Sequence, residues 1–386
     1  MALIYNATFD SGTRVLSLLD KAGNVISSCE VPSKELVDDL TKPLTFKSTQ
    51  DDSYVILRKY GTPSGSFQTS RDGGNTWEDY TIDTDITLNT GDELSFRAKA
   101  DRTSEQTSEN HFYFFMGGKI EAWHNVMSLY RTNDFATYNT IMSHAFYALF
   151  RDCISLTKAP VLPATTLTSG CYSYMFYGCT SLTQAPALPV TTLKSRCYFY
   201  MFYGCTSLTE APVLHATTLA DYCYSYMFSG CTSLTQAPAL PVTTLKSRCY
   251  ESMFSGCTSL TEAPVLPATT LVTNCYSYMF YGCTSLTQAP ALPSTALSYN
   301  CYFYMFNGCT SLTQAPALPA TTLVENCYGS MFSGCTSLTQ APVLPATTLA
   351  YGCYSYMFYG CTSLTQAPVL PATTLAEYCY STMFYG

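Results

Sequence analysis

Nineteen cysteines, 32 tyrosines and four histidines are the residues of this chain whose types could do chemistry. Eighteen of the cysteines form two series, Cys153 to Cys361 and Cys171 to Cys379, each stepping by 26 residues, so that gaps of 18 and 8 alternate; Cys29 stands outside both. Zinc sites favour ligand pairs about two to four residues apart. These gaps, with only His111, His124, His144 and His215 to assist, argue against a metal centre. A disulfide across the shorter gap needs Cα atoms within about 7 Å, whereas eight residues of helix span about 12 Å. The expected state is therefore a ladder of free, buried thiols, with Cys171, Met175 and Cys179 as structural residues. No nucleophile motif, paired catalytic carboxylates or phosphate loop is present, so neither an enzyme nor a cofactor is expected. His215 replaces a proline found at that place in the other eight units, and is read as a surface substitution.

The tyrosines suggest binding chemistry. Within the recurring "CYxxMFxG" the fixed letters hold while the x positions change, giving Ser173-Tyr174, Phe199-Tyr200, Glu251-Ser252 and Gly329-Ser330. The following x is Tyr177, Tyr203, Tyr281 or Tyr359 in some copies and Ser229, Ser255, Asn307 or Ser333 in others. The three residues before the cysteine vary most, as in Lys194-Ser195-Arg196, Ala220-Asp221-Tyr222, Val272-Thr273-Asn274, Ser298-Tyr299-Asn300 and Ala376-Glu377-Tyr378. Two readings stand. One is neutral variation on a solvated face, which tolerates change. The other is a binding surface, because Tyr, Ser, Asn and Gly supply rigid contact area and adaptable hydrogen bonds in antibody paratopes. On the second reading Tyr174, Tyr200, Tyr226, Tyr278, Tyr304 and Tyr356 form a broken ladder suited to sugar rings or a protein partner, flanked by Tyr177, Tyr203, Tyr281 and Tyr359 and by Lys194, Arg196, Lys246 and Arg248. Tyr172 and its copies are expected to pack between units.

These residues must be positioned by a repeat. Nine units of 26 residues fill 153–386 without remainder. Such a period signals a solenoid, in which each unit buries its apolar side against its neighbours. Leu156, Ala159 and Leu162 read as a short extended segment, Leu167 as an inward anchor, and Cys171, Met175 and Cys179 as one face of a short helix closed by Gly178. Pro160 and Pro163 cannot donate ladder hydrogen bonds, which restricts the strands to two to four residues.

The core "MFxGCTSLTxAPxLPxTTL" resembles the BspA-type leucine-rich repeats of surface proteins in Bacteroidales and the phages that infect them. The likeness covers 153–386 and reaches "AFYALFRDC" at 145–153, a modified first repeat with Ala145 for the first cysteine and Leu149 for Met. The resemblance implies an α/β solenoid used for adhesion or recognition, and no catalytic residue.

Ahead of the repeats, four regions are expected: an N-terminal hairpin or anchor at 1–38, a β-sandwich-like domain at 39–110, a junction and solenoid cap at 111–152, and the repeats. The hairpin reading rests on two apolar segments around Ala22-Gly23-Asn24. Ser70-Arg71-Asp72-Gly73-Gly74-Asn75-Thr76-Trp77 resembles the Asp-box, a folding hairpin in which Asp72 bonds the turn and Trp77 packs beneath. The stretch "HFYFFMGGKIEAWHNVMSL" at 111–129 is apolar enough to seal the first coil, while the last coil, ending in register at Gly386, is expected to be continued or covered.

Residues 153–386 hold six acidic and five basic side chains of the chain's 27 and 19, so most of the net charge of −8 lies in residues 1–152. With no basic stripe, nucleic acid is not an expected partner. No long apolar window indicates a membrane span, and Met1-Ala2-Leu3-Ile4-Tyr5-Asn6 does not read as a secretory signal. The expected protein is a non-enzymatic recognition protein on a phage virion, a fibre or decoration component. Its partners would be a surface glycan or surface protein of a bacterial or host cell, with other virion proteins bound through the N-terminal element. The alternatives are an adhesin at a bacterial cell surface and a purely structural spacer.

Overall fold

The computed structural model describes residues 6–10, 15–19, 25–30 and 38–385. Two compact units result, Met1–Asp39 and Leu40–Gly386. In the first, β1 (Asn6–Asp10), β2 (Val15–Leu19) and β3 (Val25–Glu30) form an antiparallel sheet in the order β1-β2-β3. The expected hairpin thus has a third strand; its turn at Ala22-Gly23-Asn24 lies outside the described residues.

The second unit begins with two sheets. Strands β4 (Leu44–Ser48), β6 (Phe67–Ser70), β7 (Glu78–Tyr80), β9 (Glu93–Ala98), β11 (Ile120–Trp123) and β12 (Leu156–Lys158) form one sheet in the order β12-β11-β4-β9-β6-β7. Strands β5 (Ser53–Tyr60), β8 (Ile86–Leu88) and β10 (His111–Gly117) form the other, ordered β10-β5-β8. In β10 the alternation of strand side chains buries Phe112, Phe114 and Met116 and turns Tyr113 and Phe115 outward. Phe114 packs edge-on against Phe46 and Phe96, with centroids 4.7 and 5.3 Å away. Strands β10 and β11 come from the stretch read as a junction, and β12 from the first repeat. The parallel pairing of β11 with β12 carries the sheet directly into the solenoid.

The expected helix at 171–179 does not form. Tyr174 has φ of 58°, and Gly170 and Gly178 are also left-handed, so every fourth residue leaves the helical region. The chain instead makes a ribbon of consecutive turns. The N–H groups of Ser173, Met175, Tyr177 and Cys179 donate to the carbonyls three residues back, at Gly170, Tyr172, Tyr174 and Phe176. Those of Tyr172, Tyr174, Phe176 and Gly178 donate instead to the next coil, at Cys197, Phe199, Met201 and Tyr203, over 2.8 to 3.1 Å. The remaining carbonyls, of Cys171, Ser173, Met175 and Tyr177, accept from the preceding coil. From Tyr172 to Tyr177 every backbone N–H and C=O is thereby paired, the requirement that burial imposes.

On the other side of the coil, adjacent units meet mainly in single parallel bridges such as Gln184↔Glu210 and Glu210↔Gln236. The prolines at the copies of Pro160 and Pro163 account for this, since each removes a donor. The α/β expectation is corrected: the repeats are turn ribbons and isolated bridges following a β domain, with no α-helix among the described residues.

Two aromatic columns run through the stack. Phe150, Phe176 and Phe202 stack at 5.5 Å, and the column continues to Phe384. It begins in the β domain, where Phe114 lies 5.4 Å from Phe150. Tyr172 and its copies form the second column, with neighbouring rings near 6.0 Å. The cysteines and methionines fill the rest, with Cys171, Met175 and Cys179 fully buried.

Candidate functional site: the outer tyrosine face

The outer face is built at the left-handed positions. With φ of 55° to 58°, Tyr174, Tyr200, Tyr226, Tyr278, Tyr304 and Tyr356 turn their rings away from the core, and neighbouring coils bring them into register. Tyr174 stacks on Tyr200 at 5.0 Å and 5°, and Tyr200 on Tyr226 at 4.4 Å and 7°. Tyr278 stacks on Tyr304 at 4.8 Å. Beside the first run, Tyr177 stacks on Tyr203 at 4.8 Å, and Phe199 stands edge-on to Tyr174 and Tyr200.

Two coils break the ladder. Ser252 and Ser330 take the tyrosine's place, so three clusters result: one centred on Tyr174, Tyr200 and Tyr226, one on Tyr278, Tyr281 and Tyr304, and one on Tyr356 and Tyr359. At the first break Glu251 is buried and pairs with Arg248 at 3.2 Å while meeting Ser225 at 3.4 Å. Burial raises its carboxyl above the ordinary range, and Arg248 opposes the shift.

The expected cationic flank is partly assembled. Arg196 lies 4.9 Å from the Tyr222 ring centroid and Arg248 5.5 Å from the same ring, whereas Lys194 and Lys246 are exposed. Arg151, in the modified first repeat, occupies the place of Tyr177 and lies 5.0 Å from the Tyr177 ring and 5.8 Å from Tyr174. Aligning "AFYALFRDC" to "CYSYMFYGC" gives that correspondence directly, so the signal for Arg151 was present in the sequence.

Part of the variation has a backbone cause. The residue before each cysteine of the Cys171-to-Cys379 series is also left-handed, which suits Gly170, Asn274, Asn300, Asn326 and Gly352. Asn274 is buried, so its amide is not part of an exposed contact surface. The tyrosines are different: an aromatic residue has no intrinsic preference for this conformation, and the stacked rings and inter-coil bonds hold it there.

The site's chemistry is neutral and amphipathic. Burial, then the neighbouring Tyr304 ring, pushes the Tyr278 phenol up to about 12, and burial raises Tyr174 and Tyr200 likewise. These phenols donate and accept hydrogen bonds at neutral pH without carrying charge. The thiols are excluded from nucleophilic chemistry by the same effect: burial pushes Cys171 up to about 12, and Cys179 is raised further by burial and by Cys153. The eighteen repeat cysteines are unbridged. The Cys153-to-Cys361 series donates to carbonyls of the preceding coil, as Cys179 does to Phe150 at 3.0 Å.

The other sequence-derived sites are placed as follows. Asp72 accepts from Ser70 Oγ, Asn75 N, Thr76 N and Thr76 Oγ1 at 2.6 to 3.0 Å, and Trp77 Nε1 donates to the Gly74 carbonyl. Trp77 is half-buried beneath Arg97, whose guanidinium lies 4.1 Å from its ring. His215 is exposed beside Glu210 and Val213. Among the described residues no group of three or more His, Cys, Asp or Glu side chains could hold a metal ion, and no helix is long and apolar enough to cross a membrane.

No curated protein and no solved structure matches the chain. The family model for the BspA type leucine rich repeat region matches in six copies, over residues 122–253, 173–313 and 247–365, and so covers more than half of the 386 residues. With nine units stacked in register and their fixed letters in the buried columns, this chain belongs to the BspA-type leucine-rich repeat family.

Proposed function

We propose that this protein recognises a surface glycan or surface protein of a bacterial or host cell through its outer tyrosine face. Repeats of this family are typical of surface and adhesion-type proteins. The observation that carries the reading is the stack of Tyr174, Tyr200 and Tyr226, whose rings are only half-buried although the equivalent inner ring, Tyr172, is fully buried. A solvated face selected only for solubility has no use for stacked aromatic rings edged by guanidinium groups. Such rings offer flat apolar area to the C–H face of a sugar or to a partner's side chains, and the phenols and Arg196 supply hydrogen bonds. The test is binding of the full chain to an array of bacterial capsular glycans, host glycans and host surface proteins. The parent should bind at least one, and a Tyr174→Ser/Tyr200→Ser/Tyr226→Ser variant should lose it.

The finer placement is on a phage particle, as a fibre or decoration component. Supporting it is the separate compact unit Met1–Asp39, which suits attachment to other virion proteins. Mass spectrometry of purified particles tests it: the protein should co-purify with intact virions. Detection only on the bacterial surface would favour the adhesin.

A further inference from the structure

A cleft of about 380 Å³ opens where the β domain meets the modified first repeat. Ligand pockets fall in the range of about 300–1,000 Å³, so this one is sized for a single ring or a short side chain. Its walls come from three separate places in the chain. Tyr60 ends β5, His111 and Tyr113 lie on β10, and Tyr147, Arg151 and Asp152 belong to the first coil.

Two features of the lining suit a polyhydroxylated ring. The first is aromatic area. Tyr60 is 58 % exposed and stacks on His111 at 5.5 Å, and His111 meets Tyr147 at 5.1 Å. The second is polar chemistry at the rim, where Arg151 and Asp152 pair at 3.3 Å and present donors and acceptors side by side.

Charge selects among rings. The Arg151 guanidinium is matched by Asp152, and burial and then Arg151 lower the His111 imidazole's proton affinity, which leaves it neutral at neutral pH. An anionic sugar would gain from Arg151 but meet Asp152. A neutral sugar uses both as hydrogen-bond partners.

The cleft is also continuous with the tyrosine face, since Tyr147 lies 5.4 Å from Tyr174. We infer that the cleft is a docking subsite for a terminal, neutral pyranose of a glycan, with Tyr60 and Tyr147 against its C–H face and Arg151 and Asp152 on its hydroxyls. This deepens the recognition reading and rests on it only in taking a glycan as ligand.

The experiment is ligand-observed NMR and titration of the full chain with methyl glycosides of glucose, galactose, mannose and N-acetylglucosamine, with N-acetylneuraminic acid as the anionic probe. At least one neutral glycoside should bind at millimolar concentration. Tyr60→Ala and Arg151→Ala, both at exposed positions, should weaken it by about tenfold or more. Asp152→Asn should weaken it too while keeping the fold, because Asn tolerates the left-handed backbone found there (φ 57°). Tyr200→Ser/Tyr226→Ser removes the middle of the ladder, so glycoside binding that survives in this variant and is lost in Arg151→Ala belongs to the cleft and not to the ladder. Loss of polysaccharide binding in that ladder variant alone, with no methyl glycoside bound by the parent, would overturn the subsite and leave the ladder standing. Retention of glycoside binding by Tyr60→Ala and Arg151→Ala, or stronger binding of the anionic probe than of any neutral one, would overturn it as well.

Discussion

The ring of Tyr226 lies 4.4 Å from that of Tyr200 with 7° between their planes, and both residues hold left-handed backbones at φ of 58° and 56°. The relationship joins local strain to display. A left-handed position points the side chain out of the ribbon, and repetition of that position in the next coil turns isolated rings into a stack.

Strain and stacking can be separated at Tyr226. Tyr226→Gly removes the ring but relieves the backbone, whereas Tyr226→Val removes the ring and places a β-branched residue at positive φ. Chemical denaturation should find the valine variant less stable than the glycine variant by about 1–2 kcal/mol. Equal stability would mean that the turn ribbon does not impose this conformation.

Gly256 tests the same ribbon without an aromatic. Its φ is 72°, and an added Cβ would meet the Gly230 backbone at 3.7 Å, an ordinary contact. Gly256→Ala should therefore lose about 1–2 kcal/mol, from conformation and not from a clash. A loss several times larger would place the neighbouring coil closer than described.

The repeat thiols should be silent in the folded protein. Cys257 is fully buried and donates to the Phe228 carbonyl at 3.1 Å. A water-soluble disulfide reagent should modify the repeat cysteines only after denaturant unfolds the solenoid. Cys257→Ala should cost about 1–3 kcal/mol through the small void and the unbonded carbonyl. Fast modification under native conditions would contradict the buried ladder.

Glu251 gives the stability a pH dependence of known sign. Its ordinary value is 4.5 and the fold raises it, chiefly by burial. Below the ordinary value the carboxyl is neutral in both states. As pH rises past it, the unfolded chain ionises first, so this group's effect becomes destabilising and levels off only above the folded value. Glu251→Gln should therefore stabilise the protein at neutral pH relative to the parent, with the difference vanishing in acid. A destabilised variant at neutral pH would show that the Arg248 pair outweighs burial.

How much of this could be read from the residues differs from place to place. The 26-residue step assigned Cys171, Met175 and Cys179 to the core, and "AFYALFRDC" identified the first coil, because identical units stack only in register. The helix failed for a definable reason. A spacing of four marks one face of a helix, but it also marks a turn ribbon whose left-handed positions recur every four residues, and only the backbone angles distinguish them. Asn274 and Asn300 looked like contact letters because Asn serves both adaptable hydrogen bonding and left-handed backbone. The cleft was hidden because Tyr60 and His111 reach Tyr147 only through the pairing of β5 with β10, which no local pattern encodes.

The central claim is that the outer tyrosines carry recognition, and it is tested most directly by measuring glycan affinity of the full chain and of Tyr174→Ser/Tyr200→Ser/Tyr226→Ser on the same array, with thermal melting as the fold control. The account predicts that the parent binds a defined glycan or surface protein, and that the variant, melting within a few degrees of it, loses at least tenfold in affinity, equivalent to about 1.4 kcal/mol. Equal binding by two folded proteins, or no binding by either, would contradict it.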